Sequence, residues 1–411
     1  MNPRLVIVDG IRTPFTKAGS DLAGLAADEL GRIAVNALLT RTGLDPELID
    51  EVIIGCVGQP MDTANIARVI ALRAGIPQSV PAMTVHRNCA SGFESLTTAY
   101  ERMAAGRGSI YVVGGAESMS QVPMLFKGEA AQKFGALARS KSAGATMSAL
   151  AAFRPADFEP RIGLKMGLTD PVSGLNMGET AELLAREAGI SREAQDAFAL
   201  QSHQRALAAT AKFSEEICPV YLTGEKAKAV VQDNGPRSDQ SLPVLAGLRP
   251  IFDRHGTVTA GNSSQITDGA AALLVMTEAK AQELGFKPLG VLVDYAYAGC
   301  DPSRMGLGPV FAIDKLEKRS GLKLKQADLV EINEAFAAQV LAVQHRLPTP
   351  VPEAKLNVNG GSIALGHPVG TTGARLVLSA LKELQRRDAK SALVSLCIGG
   401  GQGAALWLER L

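Results

Sequence analysis

Four short segments hold residue types whose spacing could do covalent chemistry. In His86-Arg87-Asn88-Cys89-Ala90-Ser91-Gly92-Phe93-Glu94 a polar turn ends in a cysteine that opens an apolar-periodic helix. The dipole and free N–H groups of a helix start favour a thiolate, so Cys89 is expected to have a lowered pKa and to act as a nucleophile. The alternative is a cysteine that merely begins a buried helix. Segment 357–370 places His367 among glycines just before another helix, where the backbone can approach a reacting group closely and a histidine can serve as base; a satisfied structural histidine fits the same pattern. In Ser395-Leu396-Cys397-Ile398-Gly399-Gly400-Gly401-Gln402-Gly403 a strand runs into a glycine cluster, and bare N–H groups of such a turn can converge on one oxygen. A phosphate-cradling loop would need a Lys-Ser/Thr ending or GxGxxG spacing before a helix, and neither is present. Finally, Asn333-Glu334-Ala335-Phe336-Ala337 follows a strand-like run, so Asn333 could hold a catalytic water or simply cap a helix.

The elements that must position these residues alternate. Short β-branched runs at 5–8, 52–54, 110–113, 273–276 and 393–396 are interleaved with amphipathic stretches at 29–42, 91–105, 179–188, 192–211 and 372–387, which predicts α/β layering. The chain also repeats itself. Segments 34–52 and 312–330 share a helix, a Gly-Leu pair (Gly43-Leu44, Gly321-Leu322) and an acidic turn (Asp50, Asp328) before a strand, and the Cys89 helix start has a counterpart in Gly370-Thr371-Thr372-Gly373. A duplicated α/β unit explains both correspondences. Stretch 121–247 is richer in Ala, Gly, Lys and helix caps than in strand runs and reads as an inserted lid or loop domain. The expected division is therefore 1–120 with 248–280 as one half, 121–247 as the insertion, and 281–411 as the second half.

Composition narrows the function classes. With 42 basic and 41 acidic residues the net charge is +1, so no broad field exists to hold nucleic acid. No apolar run approaches the roughly 18 residues of a membrane span, and an intracellular, cytoplasmic, unprocessed protein is expected. The five cysteines are widely spaced with no CxxC pair, which argues against a disulfide framework and against a metal site. Cys56, Cys218 and Cys300 read as small buried hydrophobes.

Together, NCASG, NEAFA, GGSIALGHPVG and CIGGGQG resemble the thiolase family in order and spacing. The likeness extends to segments 9–15, 114–120 and 256–264, hence to nearly the whole chain. It implies a duplicated five-layered α/β/α/β/α core with an inserted loop domain, and an acyltransferase with coenzyme A as substrate and no tightly bound cofactor. By the same resemblance Cys89 carries the acyl group, His367 takes its thiol proton, and Cys397 is the acid/base at the α-carbon of the acetyl unit. The N–H groups of Cys89 and Gly399 would hold the acyl-enzyme oxygen; His367 and a water on Asn333 would hold the enolate oxygen. Ser264, Met177, Ala260 and Phe336 match positions that contact coenzyme A and the acyl group.

Two departures bear on specificity. Short-chain biosynthetic thiolases usually carry a histidine before the loop-domain methionine, where this chain has Asn176-Met177. The HRNCASG form and the long insertion 121–165 look more like the β subunits of fatty-acid oxidation multienzymes, which usually have histidine where this chain has Asn333. The resulting expectation is reversible thiolysis of 3-ketoacyl-coenzyme A in fatty-acid β-oxidation; the alternatives are a biosynthetic acetyl-coenzyme A C-acetyltransferase and a non-catalytic acyl-coenzyme A-binding protein. A decarboxylating ketoacyl synthase would carry a second histidine where Cys397 stands. Self-association into a homodimer or tetramer is expected on base rates, and a hydratase/dehydrogenase subunit is a further expected partner. Lys127, Lys133, Arg139, Lys141, Arg154 and Arg161 among Leu125, Phe126, Leu150 and Phe153 suggest that 121–165 meets a membrane or a partner subunit.

Overall fold

The computed structural model describes residues 4–224 and 227–411. Nine strands form one hydrogen-bonded path: β1 (Leu5–Arg12), β2 (Glu51–Gly55), β3 (Ala82–Val85), β4 (Ile110–Ser118), β5 (Thr267–Thr277), β6 (Gly290–Gly299), β7 (Leu329–Ile332), β8 (Ser391–Ile398) and β9 (Gln402–Glu409). The first five lie in the order β3-β2-β4-β5-β1, with the β2 pairings parallel and the β5 pairings antiparallel. The last four repeat that order as β7-β8-β9-β6, and the place of β3 is taken by a single parallel bridge from Val330 to Leu356. Three pairs between β1 and β6, Leu5 to Leu292, Val6 to Val291 and Ile7 to Gly290, join the halves.

The helices repeat as well. In the first half α1 (Ala27–Thr42), α2 (Ile66–Arg73) and α3 (Ser91–Ala104) fall between successive strands. The insertion carries α4 (Gly128–Ala138), α5 (Ala143–Ala151), α6 (Met177–Glu187) and α7 (Arg192–Ala208), and the second half has α8 (Gly308–Ser320), α9 (Ala337–Arg346) and α10 (Thr372–Arg387) in the matching places. The matched helices α1 and α8 both end on a left-handed glycine, Gly43 (φ 64°) and Gly321 (φ 77°), a conformation that costs other residues about 1 kcal/mol or more. Asp50 and Asp328 do the same local work in each half: one carboxylate oxygen accepts the N–H groups of Ser109 and Ile110, the other those of Lys390 and Ser391.

Alternation along the strands sends side chains to two different cores. One face of β4, β5, β8 and β9 packs on α3 and α10 through Val113, Leu273, Leu396 and Leu406, with Phe93, Leu96, Leu376 and Leu381 from the helices. The opposite faces pack on α1 and α2 in one half and on α8 and α9 in the other. The layers are thus α/β/α/β/α. Each fully buried Leu, Ile, Val or Phe is worth roughly 1.5–3 kcal/mol relative to exposure, so the central layer α3/α10, apolar toward both sheets, is what binds the halves. There a Cβ on Gly92 would lie 2.7 Å from Ala374 N, and one on Gly373 would lie 2.5 Å from Phe93 N. Glycine at both positions lets the two helix starts touch backbone to backbone.

Between β4 and β5 the chain makes its long excursion; between the matching β8 and β9 it turns in three glycines, of which Gly400 (φ 89°) and Gly401 (φ 79°) are left-handed. The helix expected over 192–211 breaks after Ala208 and resumes as one short turn at Thr210–Phe213. Among the described residues no helix is long and apolar enough to cross a membrane.

Candidate active site

The contact of α3 with α10 brings together the two turns that precede them. Ser91 closes the first: its hydroxyl donates to Asn88 O (2.7 Å) and accepts from Arg87 N (2.9 Å). That folding forces Asn88 into the left-handed region (φ 45°), and its amide donates to Gly399 O at 2.7 Å. Cys89 follows, half-buried, with its own N–H and that of Gly399 directed at its sulfur. Those two N–H groups lower the thiol pKa, but burial raises it more, so the net shift is upward. The lowered pKa expected from the helix start is therefore corrected: desolvation of the thiolate outweighs the N–H groups, and Cys89 rests as a thiol that needs a base.

His367 is buried behind a loop whose geometry comes from polar side chains rather than from regular structure. Asn357 (φ 45°) pairs both backbone groups of Ile332, accepting from its N at 2.8 Å and donating to its O at 2.9 Å, which fixes where Asn333 leaves the strand. Glu334 accepts from Ser202 Oγ (2.6 Å), Asn357 Nδ2 (2.9 Å) and Ile363 N (3.2 Å). On the far side of His367, Glu117 accepts N–H groups from Val57 (3.1 Å), Gly58 (2.7 Å) and Gly370 (2.8 Å), tying the first half to the residues just after His367. Burial pushes the Glu117 carboxyl up to about 7. In the imidazole, Nδ1 lies 2.6 Å from Thr372 Oγ1 and Nε2 lies 3.5 Å from Asn333 Nδ2. Burial, and then the charge of Arg375, lower its pKa to about 3, so the ring is neutral.

Cys397, next to the last residue of β8, is buried in one apolar cluster with Ala335 and Phe336, against which Met177 packs. Its thiol is pushed well above the usual range by burial. Burial outweighs the lowering effect of the Cys397 backbone N–H, so Cys397 is a thiol in the free enzyme. Cys300 departs from expectation too; it is half-exposed and shifted upward to about 11 by burial. Cys56 and Cys218 are buried as expected.

A cavity of about 630 Å³ opens over this region, walled by Leu168, Val244, Leu248, Ile251, Phe252 and Ile266 among others. Met177, Ala260, Ser264, Phe336 and His367 all line it, whereas Cys89, Cys397, Asn333 and Gly399 do not reach its wall. Gly399 borders the wall at Met177: a Cβ on it would be 3.5 Å from Met177 Sδ. Sequence reasoning missed Asn88, Glu117, Ser362, Thr372 and Arg375. The signals were an Asn in the turn before the cysteine and charged residues in otherwise apolar elements.

The family models "Thiolase, N-terminal domain" and "Thiolase, C-terminal domain" match residues 5–279 and 286–410. The chain belongs to the thiolase family. An acetyl-CoA acetyltransferase of Allochromatium vinosum is 43% identical with all of both chains covered, and a probable acetyl-CoA acyltransferase of Staphylococcus aureus is 43% identical over 98% of each. Among solved structures, a Bacillus anthracis acetyl-CoA acetyltransferase superposes with TM-score 0.91 at 39% identity over all of both chains. Human mitochondrial 3-ketoacyl-CoA thiolase in complex with CoA gives 0.89 at 38% identity, covering 100% of this chain and 98% of that one. This thiolase is accordingly an enzyme of the acyltransferase class.

Proposed function

We propose that this thiolase cleaves 3-ketoacyl-coenzyme A with a second coenzyme A, reversibly, in cytoplasmic fatty-acid β-oxidation, through an acyl group on Cys89. His367 Nε2 takes the Cys89 proton and the thiolate attacks the 3-keto carbon, its oxygen held by the N–H groups of Cys89 and Gly399. The carbon–carbon bond breaks, leaving the acetyl-coenzyme A enolate, whose oxygen is held by the new Nε2–H and a water on Asn333 while Cys397 protonates its carbon. Incoming coenzyme A gives its thiol proton to the Cys397 thiolate and attacks the acyl group; Cys89 leaves and recovers its proton from His367. Every proton is returned, and the covalent intermediate makes the kinetics ping-pong.

The observation that supports the chemistry is the meeting of the Cys89 helix start with the Gly399 turn, where Asn88 Nδ2 donates to Gly399 O at 2.7 Å and Gly399 borders Met177 on the cavity wall. The apolar walls at Leu168, Val244, Leu248 and Ile251 support acyl chains longer than acetoacetyl, with Ser264, Met177, Ala260 and Phe336 as contacts of coenzyme A and the acyl group. Asn176 sits where short-chain enzymes carry histidine and is engaged in capping α6, accepting from Gly178 N at 3.0 Å. The names of the bacterial relatives favour a second reading, biosynthetic formation of acetoacetyl-coenzyme A. Domain limits of 1–120 with 248–280, 121–247 and 281–411, and self-assembly to a dimer or tetramer, belong to the same proposal. Two measurements test it. Acetyl-coenzyme A should leave one acetyl group on a peptide containing Cys89, with no label in Cys89→Ala. Initial thiolysis rates should rise or hold from acetoacetyl- to longer 3-ketoacyl-coenzyme A; activity confined to acetoacetyl-coenzyme A would select the biosynthetic reading.

A further inference from the structure

A line of buried polar groups runs from Arg375 to the Pro368 carbonyl through the imidazole of His367, and its Asn333 end sets where the imidazole proton sits. Arg375 can only donate, and its Nη2 donates to Ser362 Oγ at 3.4 Å. The single Ser362 hydroxyl hydrogen then goes to Asn333 Oδ1, 2.6 Å away. With Oδ1 so engaged, Asn333 turns its amide nitrogen, again a donor only, toward His367 Nε2. A flipped Asn333 would leave the Ser362 hydroxyl between two donors, with its hydrogen lacking an acceptor. At the other end, the Thr372 hydroxyl lies 3.1 Å from Pro368 O and 2.6 Å from Nδ1; donating to the first leaves a lone pair for the Nδ1 proton that the Asn333 end requires. All of these side chains are buried, Ser362 and Thr372 completely.

We infer that Arg375, Ser362 and Asn333 on one side and Thr372 on the other hold His367 in the tautomer with its proton on Nδ1, so that Nε2 meets the Cys89 thiol as a bare base. The inference rests on the roles proposed for Cys89 and His367 and adds positioning residues to them. It also accounts for the second half of the cycle. Once Nε2 has taken the thiol proton it becomes a donor beside the Asn333 amide, and these two donors are satisfied by the enolate oxygen and by the water proposed on Asn333. The other neutral tautomer would present an N–H to the Cys89 thiol and could not accept its proton.

Two experiments test this. In the wild-type enzyme labelled with ¹⁵N-histidine, the ring-nitrogen shifts assigned by loss of signal in His367→Asn should report a neutral ring with Nδ1 protonated. Thr372→Val keeps the side-chain shape but removes the acceptor, so acetylation of Cys89 should slow about 10²-fold at unchanged KM for acetyl-coenzyme A, while Thr372→Ser should restore the rate to within about threefold. A wild-type ring protonated on Nε2, or wild-type acetylation in Thr372→Val, overturns the inference. Failure of the underlying reading looks different: Cys89→Ala would still take the label.

Discussion

Replacing Cys397 by alanine separates the two cysteines. In the free enzyme burial keeps Cys397 a thiol, the form that the proposed mechanism needs to give a proton to carbon. Loading Cys89 from acetyl-coenzyme A forms no carbanion, so Cys397→Ala should still become acetylated. Thiolysis and condensation both pass through the enolate and should fall by about 10²- to 10⁴-fold, or roughly 3–5 kcal/mol of barrier. The fold should survive: the side chain sits at the end of β8 against Met177, Ala335 and Phe336, and removing one sulfur there leaves a small cavity costing about 1 kcal/mol. The assay has three parts: labelling with radioactive acetyl-coenzyme A, steady-state thiolysis, and exchange of the methyl protons of acetyl-coenzyme A in deuterated water. The variant should label, fail to turn over, and fail to exchange. Exchange at the wild-type rate, or loss of labelling as complete as in Cys89→Ala, would refute the division of labour.

Three other perturbations follow from packing and charge. Gly373→Ala would put a Cβ 2.5 Å from Phe93 N, a backbone atom that cannot swing aside, so it should cost about 1–3 kcal/mol in urea unfolding and slow Cys89 acetylation with it; wild-type values in both would show that the α3–α10 contact does not set the site. His203, held neutral by burial and then by the charges of Arg237 and Lys17, has its pKa lowered to about 4, and that of His367 is lowered to about 3. A histidine with a depressed folded pKa binds fewer protons folded than unfolded, so its contribution to stability is intact above the unfolded value near 6.5 and is lost as pH falls from there toward 4, by about 1.4 kcal/mol per pH unit for each group. His203→Asn, which keeps an acceptor for Arg237 N, should flatten that acid limb by about one proton, read from melting temperature against pH; an unchanged limb would mean His203 is charged when folded. In the insertion, Met124, Leu125, Phe126 and Leu150 are exposed, while Lys127 and Lys133 are engaged by Glu159 and Asp157. Reversing Arg139, Lys141 and Arg161 to Glu should leave turnover intact and weaken salt-sensitive binding to anionic vesicles; a large loss of turnover would place this segment at the active site instead.

Much of this was legible before any coordinates. Periodicity located the main helices and strands because helix and strand patterns are local, and the repeated Gly-Leu and aspartate positions announced the duplication because each half needs the same left-handed cap and the same carboxylate under two N–H groups. The residues named for chemistry were legible for a similar reason: a cysteine at a helix start, a histidine among glycines and a glycine turn after a strand are each signatures of short stretches of chain.

What the sequence could not decide was how those stretches meet. The energy of ionising Cys89 depends on how much water the fold removes as well as on the local helix start, and burial reversed the expected shift. Asn88, Glu117, Ser362, Thr372 and Arg375 escaped notice because each acts on a group from another part of the chain or through a hydrogen-bond direction that a residue list does not contain. Asn88 and Gly399 are 311 positions apart, and Glu117 and Gly370 are 253. The sequence by itself determined the elements, their repetition and the candidates for the reactive groups, since these are set by neighbours along the chain. Only the tertiary structure decided the protonation of Cys89, His367 and Cys397, because desolvation and hydrogen-bond partners exist only once the two halves are packed around α3 and α10.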